Sequence, residues 1–221
     1  MTDSAAVPPE LDGGTAASAG DRKPPFVGLT GGVAAGKSTA LEALGRLGAA
    51  TLSTDQIVHD IYLQDDVLKL VEERLGTEVI SDGVVDRDAV ARRVFNDPEA
   101  REWLEQMIWP RVGERMWEWR QLQEACDPRP RALVVEVPLL FEAGMGAAFD
   151  ETIAVTVHDD LRRQRATTRG HEELDGRDAR QLTQSEKAAQ ADFEVVNDGS
   201  IEQLQSRLND VLGLIEGAHR A

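Results

Sequence analysis

The amino-acid sequence predicts an α/β fold built on a doubly wound, five-stranded parallel sheet. Five short apolar segments typical of buried strands are separated by stretches of helical pattern, and a glycine-rich run joins the first segment to the first helix. A parallel sheet needs a crossover between successive strands, which the helical stretches supply. Ligands of such sheets bind beyond the carboxyl ends of the strands, so the residues that follow each strand are the functional candidates.

The predicted strands lie between turn and helix signals. Residues 1–24 are rich in Ala, Gly, Pro and Asp, and we expect them to form a disordered tail. A helix over 201–215, with Leu204, Leu208, Leu212 and Ile215 on one face, closes the chain. The five segments expected to form the sheet are 26–30, 49–53, 132–137, 152–157 and 193–197.

From Ile57 to about Ala125 the pattern is helical, with two interruptions. Ser81-Asp82-Gly83 is a turn signal, and Asp97 can cap a helix that begins at Pro98. We expect Pro110 to kink or split that helix. All four tryptophans fall in this stretch, where they either form the core of a small helical domain or offer ring faces to a ligand; they are Trp103, Trp109, Trp117 and Trp119.

Composition excludes several classes of partner. The 221 residues are 41% hydrophobic and 29% charged, which is ordinary for a globular protein. The formal net charge of −16 disfavours nucleic acid, whose binding needs a basic face. No apolar run is long enough to span a membrane, and the single cysteine, Cys126, leaves no internal disulfide. We expect a cytoplasmic protein with no nucleic-acid or membrane partner, and a monomer.

The run from Gly31 to Thr39 is the most specific functional signal. It fits the pattern G-x-x-x-x-G-K-[ST] between a strand and a helix. Glycines let successive backbone N–H groups point into one anion-sized hollow, Lys37 can reach the β- and γ-phosphates, and the Ser38 hydroxyl can ligate Mg²⁺. The residues predicted to surround the phosphates are Gly31, Gly32, Val33, Ala34, Ala35, Gly36, Lys37, Ser38 and Thr39.

Two carboxylates follow or end predicted strands. Asp55 can accept a proton from an attacking hydroxyl or hold Mg²⁺ through water, and it can equally act as the N-cap of a helix starting at Gln56. Glu136 ends an apolar run, which is how a buried strand delivers a carboxylate to a metal ion, although a polar residue also commonly ends a strand. The run Pro138–Glu142 then leaves the strand abruptly and could wall an acceptor site.

Basic residues concentrate between residues 159 and 190, in a polar stretch of helical propensity. Phosphoryl transfer needs positive charge on the moving group, which an arginine-bearing lid supplies while it excludes water. The alternative is a solvated helix face with mixed charges. The residues are Arg162, Arg163, Arg165, Arg169, His171, Arg177 and Arg180.

Taken together, these motifs resemble the dephospho-coenzyme A kinase family from Phe26 to about Ile215. The discriminating pair is the phosphate loop joined to the run Val137–Glu142. Further family-like features are Gly28-Leu29-Thr30, Asp55, Asp86-Arg87, Phe95, Pro98, Trp103-Leu104-Glu105, Pro110, Arg165, Arg169, Arg180, Gln184, Lys187, Ala191-Asp192 and Asn197-Asp198-Gly199.

The resemblance implies an ATP- and Mg²⁺-dependent transfer of the γ-phosphate to the ribose 3′-hydroxyl of dephospho-coenzyme A. Lys37 and Ser38 carry over as phosphate and Mg²⁺ ligands, and Asp55 as the acidic residue facing the acceptor. Arg165 and Arg169 resemble the phosphate-stabilising arginines of the lid. Asn197 and Gly199 resemble the stretch near the adenine of ATP.

The resemblance also implies a P-loop kinase organisation in three parts. Residues 25–56, 131–160 and 191–221 would form the nucleotide-binding core, 57–130 an inserted helical acceptor-binding domain, and 161–190 a lid. The chain departs from the family where Ser53-Thr54-Asp55 replaces the usual Asp-x-Asp, and where Trp109 replaces a His before Pro110. The stretch from Gln184 to Asp192 is also shorter than in many members.

Two other functions remain open from the residues alone. One is another small-metabolite P-loop kinase, of the nucleoside monophosphate or shikimate type. The other is a nucleotide-binding switch without an acceptor. The chain has neither an N-K-x-D nor a D-x-x-G element in the expected places, which disfavours a GTPase switch.

Overall fold

The computed structural model of the protein describes residues 23–95, 97–168 and 181–220. The expected disordered tail therefore lies outside the described residues, apart from Lys23 and Pro24. The elements, in chain order, are β1 (Phe26–Gly31), α1 (Lys37–Arg46), β2 (Ala50–Ser53), α2 (Thr54–Tyr62), α3 (Asp65–Leu75), β3 (Ile80–Ser81), β4 (Val84–Val85), α4 (Arg87–Phe95), α5 (Pro98–Glu124), β5 (Leu133–Glu136), β6 (Glu151–Thr156), α6 (Asp159–Thr168), α7 (Gln184–Gln190), β7 (Phe193–Val196) and α8 (Ile201–Arg220).

The five predicted strands form one parallel sheet in the order β2-β5-β1-β6-β7. This confirms the predicted doubly wound α/β class. β1 is central: Leu29 pairs with Glu136 of β5 on one side and with Ile153 of β6 on the other. β1 and β5 are buried along their whole length, as expected of strands covered on both faces.

Helices cover both faces of the sheet, because alternate residues of each strand point to opposite sides. Phe26, Leu133 and Val135 pack into a cluster with residues of α2 to α5. Val27, Val134 and Ile153 pack into a second cluster with residues of α1 and α8. The carboxyl ends of the strands remain between these layers, where the phosphate loop leaves β1.

The turn predicted at Ser81-Asp82-Gly83 belongs to an antiparallel hairpin of β3 and β4. Asp82 and Gly83 have φ values of 51° and 77°, as a two-residue hairpin turn of the primed type requires. The strands themselves were not predicted, since two residues each are too few to show an alternating pattern.

Of the two effects expected of Pro110, a kink or a split in the helix that begins at Pro98, the split does not occur. α5 runs without interruption to Glu124. An internal proline costs about 3 kcal/mol, and each large apolar side chain that is buried contributes about 1.5–3 kcal/mol. Met107, Ile108 and Val112 are buried on either side of Pro110, which outweighs the lost hydrogen bond.

The tryptophans of α5 mostly serve its packing. Trp103, Trp109 and Trp119 are partly buried against the cluster on this face of the sheet, whereas Trp117 is 58% exposed. Three of the four tryptophans therefore contribute to the hydrophobic core, which is one of the two roles considered for them. Among the described residues, no helix has the length and apolar character needed to cross a bilayer.

The predicted cap of α5 is present. Asp97 Oδ1 accepts a hydrogen bond from Ala100 N at 3.0 Å, and Arg93 Nη1 lies 2.9 Å from Asp97 Oδ2. The backbone hydrogen bond from Ala100, helped by Arg93, lowers the pKa of the Asp97 carboxyl. A group whose pKa is lowered by folding contributes stability above its unfolded-state pKa and loses it as the pH falls through the folded-state pKa.

We expect Asp97→Ala to lower Tm at pH 7 by about 2–4 °C, because the first turn of α5 loses its cap. The difference from the unsubstituted protein should shrink as the pH falls below about 4. Thermal unfolding followed by circular dichroism checks both effects. Asp97→Asn is the control, since Asn is also a good cap; equal melting of Asp97→Ala and the unsubstituted chain at pH 7 would contradict the assignment.

Candidate active site

The phosphate loop connects β1 to α1 as predicted, in a conformation that explains two of its glycines. Gly36 has a φ of 91° and is the N-cap of α1, a left-handed conformation that glycine adopts without strain. At Gly31, a Cβ atom would lie 2.4 Å from the carbonyl oxygen of Val155. The loop can therefore pass this close to β6 only with glycine at that position.

Lys37 is the first residue of α1, and its side chain curls back over the loop. Its Nζ donates to Gly31 O at 3.2 Å and to Gly32 O at 3.1 Å. Burial lowers the pKa of the Lys37 ammonium, and the negative charge of Glu136 partly opposes this effect. The sequence predicts Lys37 at the phosphate site, and in the structure its ammonium group lies against the first two residues of the loop.

Glu136 stands at the carboxyl end of β5, opposite Leu29 of β1 and Ser53 of β2. The residue is 5% exposed. Burial raises the pKa of its carboxyl, while the charge of Lys37 and a hydrogen bond from the Ser53 side chain lower it. The strand thus delivers a buried carboxylate to the neighbourhood of Lys37, as the apolar run predicted.

Asp55 lies in the first turn of α2, and its backbone position excludes the capping alternative. The N-cap of α2 is Ser53, whose side chain makes no hydrogen bond to the helix backbone. The start of α2 is fixed because Thr54 Oγ1 donates to Glu136 O at 3.0 Å. Asp55 is exposed, and its negative charge raises the pKa of both Lys37 and Glu136. Lys37, Asp55 and Glu136 therefore converge at one edge of the sheet.

Asn197 supports the phosphate loop from the opposite side. It follows β7 and is buried; its Nδ2 donates to Ala35 O at 2.8 Å and its backbone N donates to Thr156 O at 2.7 Å. Gly199 lies exposed two residues further on. The amide side chain thus contacts the loop itself, a role that the sequence did not suggest.

The structure describes the arginines expected in the lid only in part. Arg165 lies in α6, but its side chain is outside the described residues, and so is the whole of Arg169. Trp109, the departure before Pro110, packs partly buried against the core cluster of α2 to α5.

The structure adds three residues to the site that the sequence did not assign a role. Ser53 lies opposite Glu136 in the pairing of β2 with β5, and its hydroxyl lowers the pKa of that carboxyl. Gln184, at the start of α7, accepts from Val157 N at 3.2 Å and donates to Val157 O at 2.8 Å. Lys187 is 3% exposed, and its Nζ lies 3.0 Å from Glu142 Oε1. Gln184 and Lys187 lie in a polar stretch without periodicity, so only the resemblance singled them out.

The run after β5, which we call the β5 loop (residues 138–142), turns immediately after the strand as expected. Thr30 Oγ1 donates to Pro138 O at 3.3 Å, which joins this loop to the last residues of β1. The carboxyl end of the sheet thus brings together the phosphate loop, the ammonium group of Lys37 and the carboxylates of Asp55 and Glu136. Such a site can hold a polyphosphate and a hard metal ion next to a base.

Comparison with known proteins agrees with this geometry. The family model described as dephospho-CoA kinase matches residues 25–203. Dephospho-CoA kinase of Anaeromyxobacter dehalogenans is 37% identical over 196 residues, 86% of this chain and 92% of the relative. That of Protochlamydia amoebophila is 34% identical over 190 residues, 84% of this chain and 93% of the relative.

The solved structures point the same way. A crystal structure of a protein from Thermus thermophilus is 30% identical, with a TM-score of 0.75 over 87% of this chain and 98% of that one. Dephospho-CoA kinase from Campylobacter jejuni is 26% identical, with a TM-score of 0.64 over the same shares. The phosphate loop, the β5 loop and Lys187 all lie within the matched residues, and the chain belongs to the dephospho-CoA kinase family of phosphotransferases.

Proposed function

We propose that this chain transfers the γ-phosphate of ATP to the 3′-hydroxyl of dephospho-coenzyme A, which gives coenzyme A in the last step of its synthesis. The observation that carries the proposal is the convergence of Lys37, Asp55 and Glu136 beside the phosphate loop of a dephospho-CoA kinase family member. One cation and two carboxylates at the carboxyl end of the sheet can supply what phosphoryl transfer needs: a group that holds the phosphate, a ligand for a metal ion, and a base.

The donor ATP occupies the loop. Backbone N–H groups of residues 31–39 and the N-terminus of α1 face its β- and γ-phosphates. Lys37, which donates to two loop carbonyls in this structure, moves its donors to the phosphate oxygens. Asn197 and Gly199 lie on the adenine side, where Asn197 also fixes Ala35 of the loop.

Mg²⁺ fits the oxygen donors at this edge, with Ser38 and Glu136 as its protein ligands, directly or through water. Magnesium is usually held by one or two carboxylates together with substrate phosphates. Within the described part of the chain no three His, Cys, Asp or Glu side chains form a cage of their own, so phosphate oxygens complete the set. When bound, the ion neutralises charge that develops on the transferred phosphoryl group.

Asp55 acts as the base. Its carboxylate is exposed at the mouth of the site, where an acceptor hydroxyl can reach it, and it lies within electrostatic reach of Lys37. It accepts the proton of the 3′-hydroxyl as the new bond to phosphorus forms. Arg165 and Arg169 supply positive charge to the moving group from the segment 161–190.

The same proposal extends to the organisation of the chain. Residues 25–56, 131–160 and 191–221 form the nucleotide-binding core, 57–130 bind the acceptor and 161–190 form a lid. The packing of α2 to α5 into one cluster on one face of the sheet supports the second of these units. The enzyme works in the cytoplasm as a monomer, without a nucleic-acid or membrane partner.

An acceptor screen tests the proposed function. ATP turnover is measured with dephospho-coenzyme A, with nucleoside monophosphates and with shikimate offered separately, and the product is identified by mass. Stimulation by the first compound alone supports the proposal. Stimulation only by another acceptor points to a different small-metabolite kinase, and slow hydrolysis that no acceptor changes points to a nucleotide switch.

We expect Lys37→Ala to lower kcat by about 10²–10³-fold or more, because the γ-phosphate loses the cation that stabilises it in the transition state. Steady-state turnover with dephospho-coenzyme A gives the measurement. Lys69→Ala, in α3, is the matched control, since that lysine is exposed and lies on another element. Equal losses in the two variants would refute the assignment to Lys37.

Asp55→Asn should lower kcat by about 10²–10⁴-fold while leaving the KM for ATP within about threefold, because the amide cannot accept the proton. Asp60→Asn is the control, on the same helix and also exposed. Turnover of Asp55→Asn close to that of the unsubstituted enzyme would show that the carboxylate is not the base.

Glu136→Gln separates stability from metal binding. Burial raises the pKa of Glu136, so stability is lost as the pH rises from the unfolded-state pKa to the folded-state pKa of this carboxyl, and the loss is complete above the latter. The neutral amide removes this loss, and the metal-free variant should gain more Tm relative to the unsubstituted protein at pH 8 than at pH 5. At the same time, the Mg²⁺ concentration for half-maximal turnover should rise about tenfold. An unchanged Mg²⁺ requirement would exclude Glu136 as a ligand.

A further inference from the structure

We propose that Lys187 and Glu142 are positioning residues that hold the β5 loop and the start of α7 in register with the phosphate loop, so that the two substrates meet in line. The inference rests on the proposed transfer reaction, because the alignment concerns its donor and acceptor. Neither residue is needed as an acid, a base or a phosphate ligand in the mechanism above.

The pair is buried and specific. Lys187 Nζ lies 3.0 Å from Glu142 Oε1, and the two side chains are 3% and 11% exposed. The same ammonium group also donates to Pro138 O. The Glu142 carboxylate accepts a second hydrogen bond through Oε1, from Leu182 N at 3.0 Å, whereas its Oε2 is buried without a partner among the described residues. Glu142 therefore depends on Lys187 for its charge to be tolerated in the interior.

Pro138 O joins three parts of the site. It accepts from Lys187 Nζ of α7 and from Thr30 Oγ1 of β1. Thr30 is fully buried and directly precedes Gly31, the first residue of the phosphate loop. One carbonyl thus connects the entry to the phosphate loop, the β5 loop and α7.

The start of α7 is fixed to the same place by other contacts. Both polar atoms of the Gln184 side chain bond to the backbone of Val157, which follows β6. A Cβ atom at Gly32 would lie 3.1 Å from Gln184 Cβ, so α7 packs directly on the phosphate loop. Thr183 and Glu186 close a capping box at its first turn. A displacement of α7 would therefore shift the phosphate loop and the phosphates bound to it.

The charges of Lys187 and Glu142 also affect the pKa of Lys37. The positive charge of Lys187 lowers the pKa of Lys37, and the negative charge of Glu142 raises it. While the two residues are paired, these influences oppose one another. If Lys187 alone were lost, the buried Glu142 carboxylate would compete with the phosphates for Lys37.

Removal of Lys187 alone would leave a buried unpaired carboxylate, and such a variant can fail to fold. The decisive variant is therefore Lys187→Met/Glu142→Gln, which removes both charges and keeps an acceptor for Leu182 N. The matched control is Arg131→Met/Glu216→Gln. That pair is also partly buried, with Nη2 and Oε2 2.9 Å apart, but it lies before the amino end of β5, away from the phosphate loop.

We expect the Lys187/Glu142 double variant to keep a Tm within a few degrees of the unsubstituted protein and to lose about 10- to 100-fold in kcat, because substrate misplacement by about 1 Å has an effect of this size. The control should keep its kcat. A purely structural role predicts instead that kcat is unchanged once the double variant is folded, and that outcome overturns the proposal. Equal kcat losses in the two double variants also overturn it.

Amide hydrogen exchange gives a readout that does not depend on the acceptor. Exchange should be faster in the double variant at residues 138–142, at 181–190 and at the phosphate loop, and unchanged there in the control. Failure of the unsubstituted chain to phosphorylate dephospho-coenzyme A would overturn the proposed function, whereas unchanged exchange at the phosphate loop of the double variant would overturn the positioning role.

Discussion

The parallel pairing of β1 with β5 is the constraint on which the rest of the site depends. It sets Leu29 opposite Glu136, and neighbouring strands are about 4.8 Å apart. A carboxylate at the end of β5 is therefore held one strand away from the chain that enters the phosphate loop. Lys37 and Asp55 then lie near Glu136 because each follows a strand of the same sheet, and Ser53 does so because it ends β2. In a chain of net charge −16, this arrangement places the Lys37 ammonium beside the phosphate loop, where an anionic substrate must enter.

Much of the architecture could be predicted from the sequence. The three inner strands β5, β1 and β6 are buried almost throughout and carry mostly apolar runs, and the predicted and observed bounds of all five strands agree closely. The phosphate loop was recognisable since its backbone shape restricts residue types: Gly36 must adopt a left-handed φ and Gly31 has no room for a Cβ. Asp97 was a recognisable cap because capping is a local interaction between residues three apart.

Other features depend on contacts between distant residues and left no local pattern. The hydrogen bond from Asn197 to Ala35 spans 162 positions, and that from Lys187 to Pro138 spans 49. Ser53 is the N-cap residue of α2 but makes no side-chain cap hydrogen bond, and the pairing of β2 with β5 places it opposite Glu136. The continuity of α5 through Pro110 also depends on tertiary packing, which outweighs the local preference of proline.

The confinement of the tryptophans to α5 has an optical consequence. All four indole rings lie on this one helix, and three of them pack partly buried against the layer formed by α2 to α5. The phosphate loop and its flanking strands contain none. Intrinsic fluorescence of the unlabelled protein therefore reports on the helical layer, and energy transfer from these rings to a fluorescent nucleotide would measure the separation between that layer and the donor site.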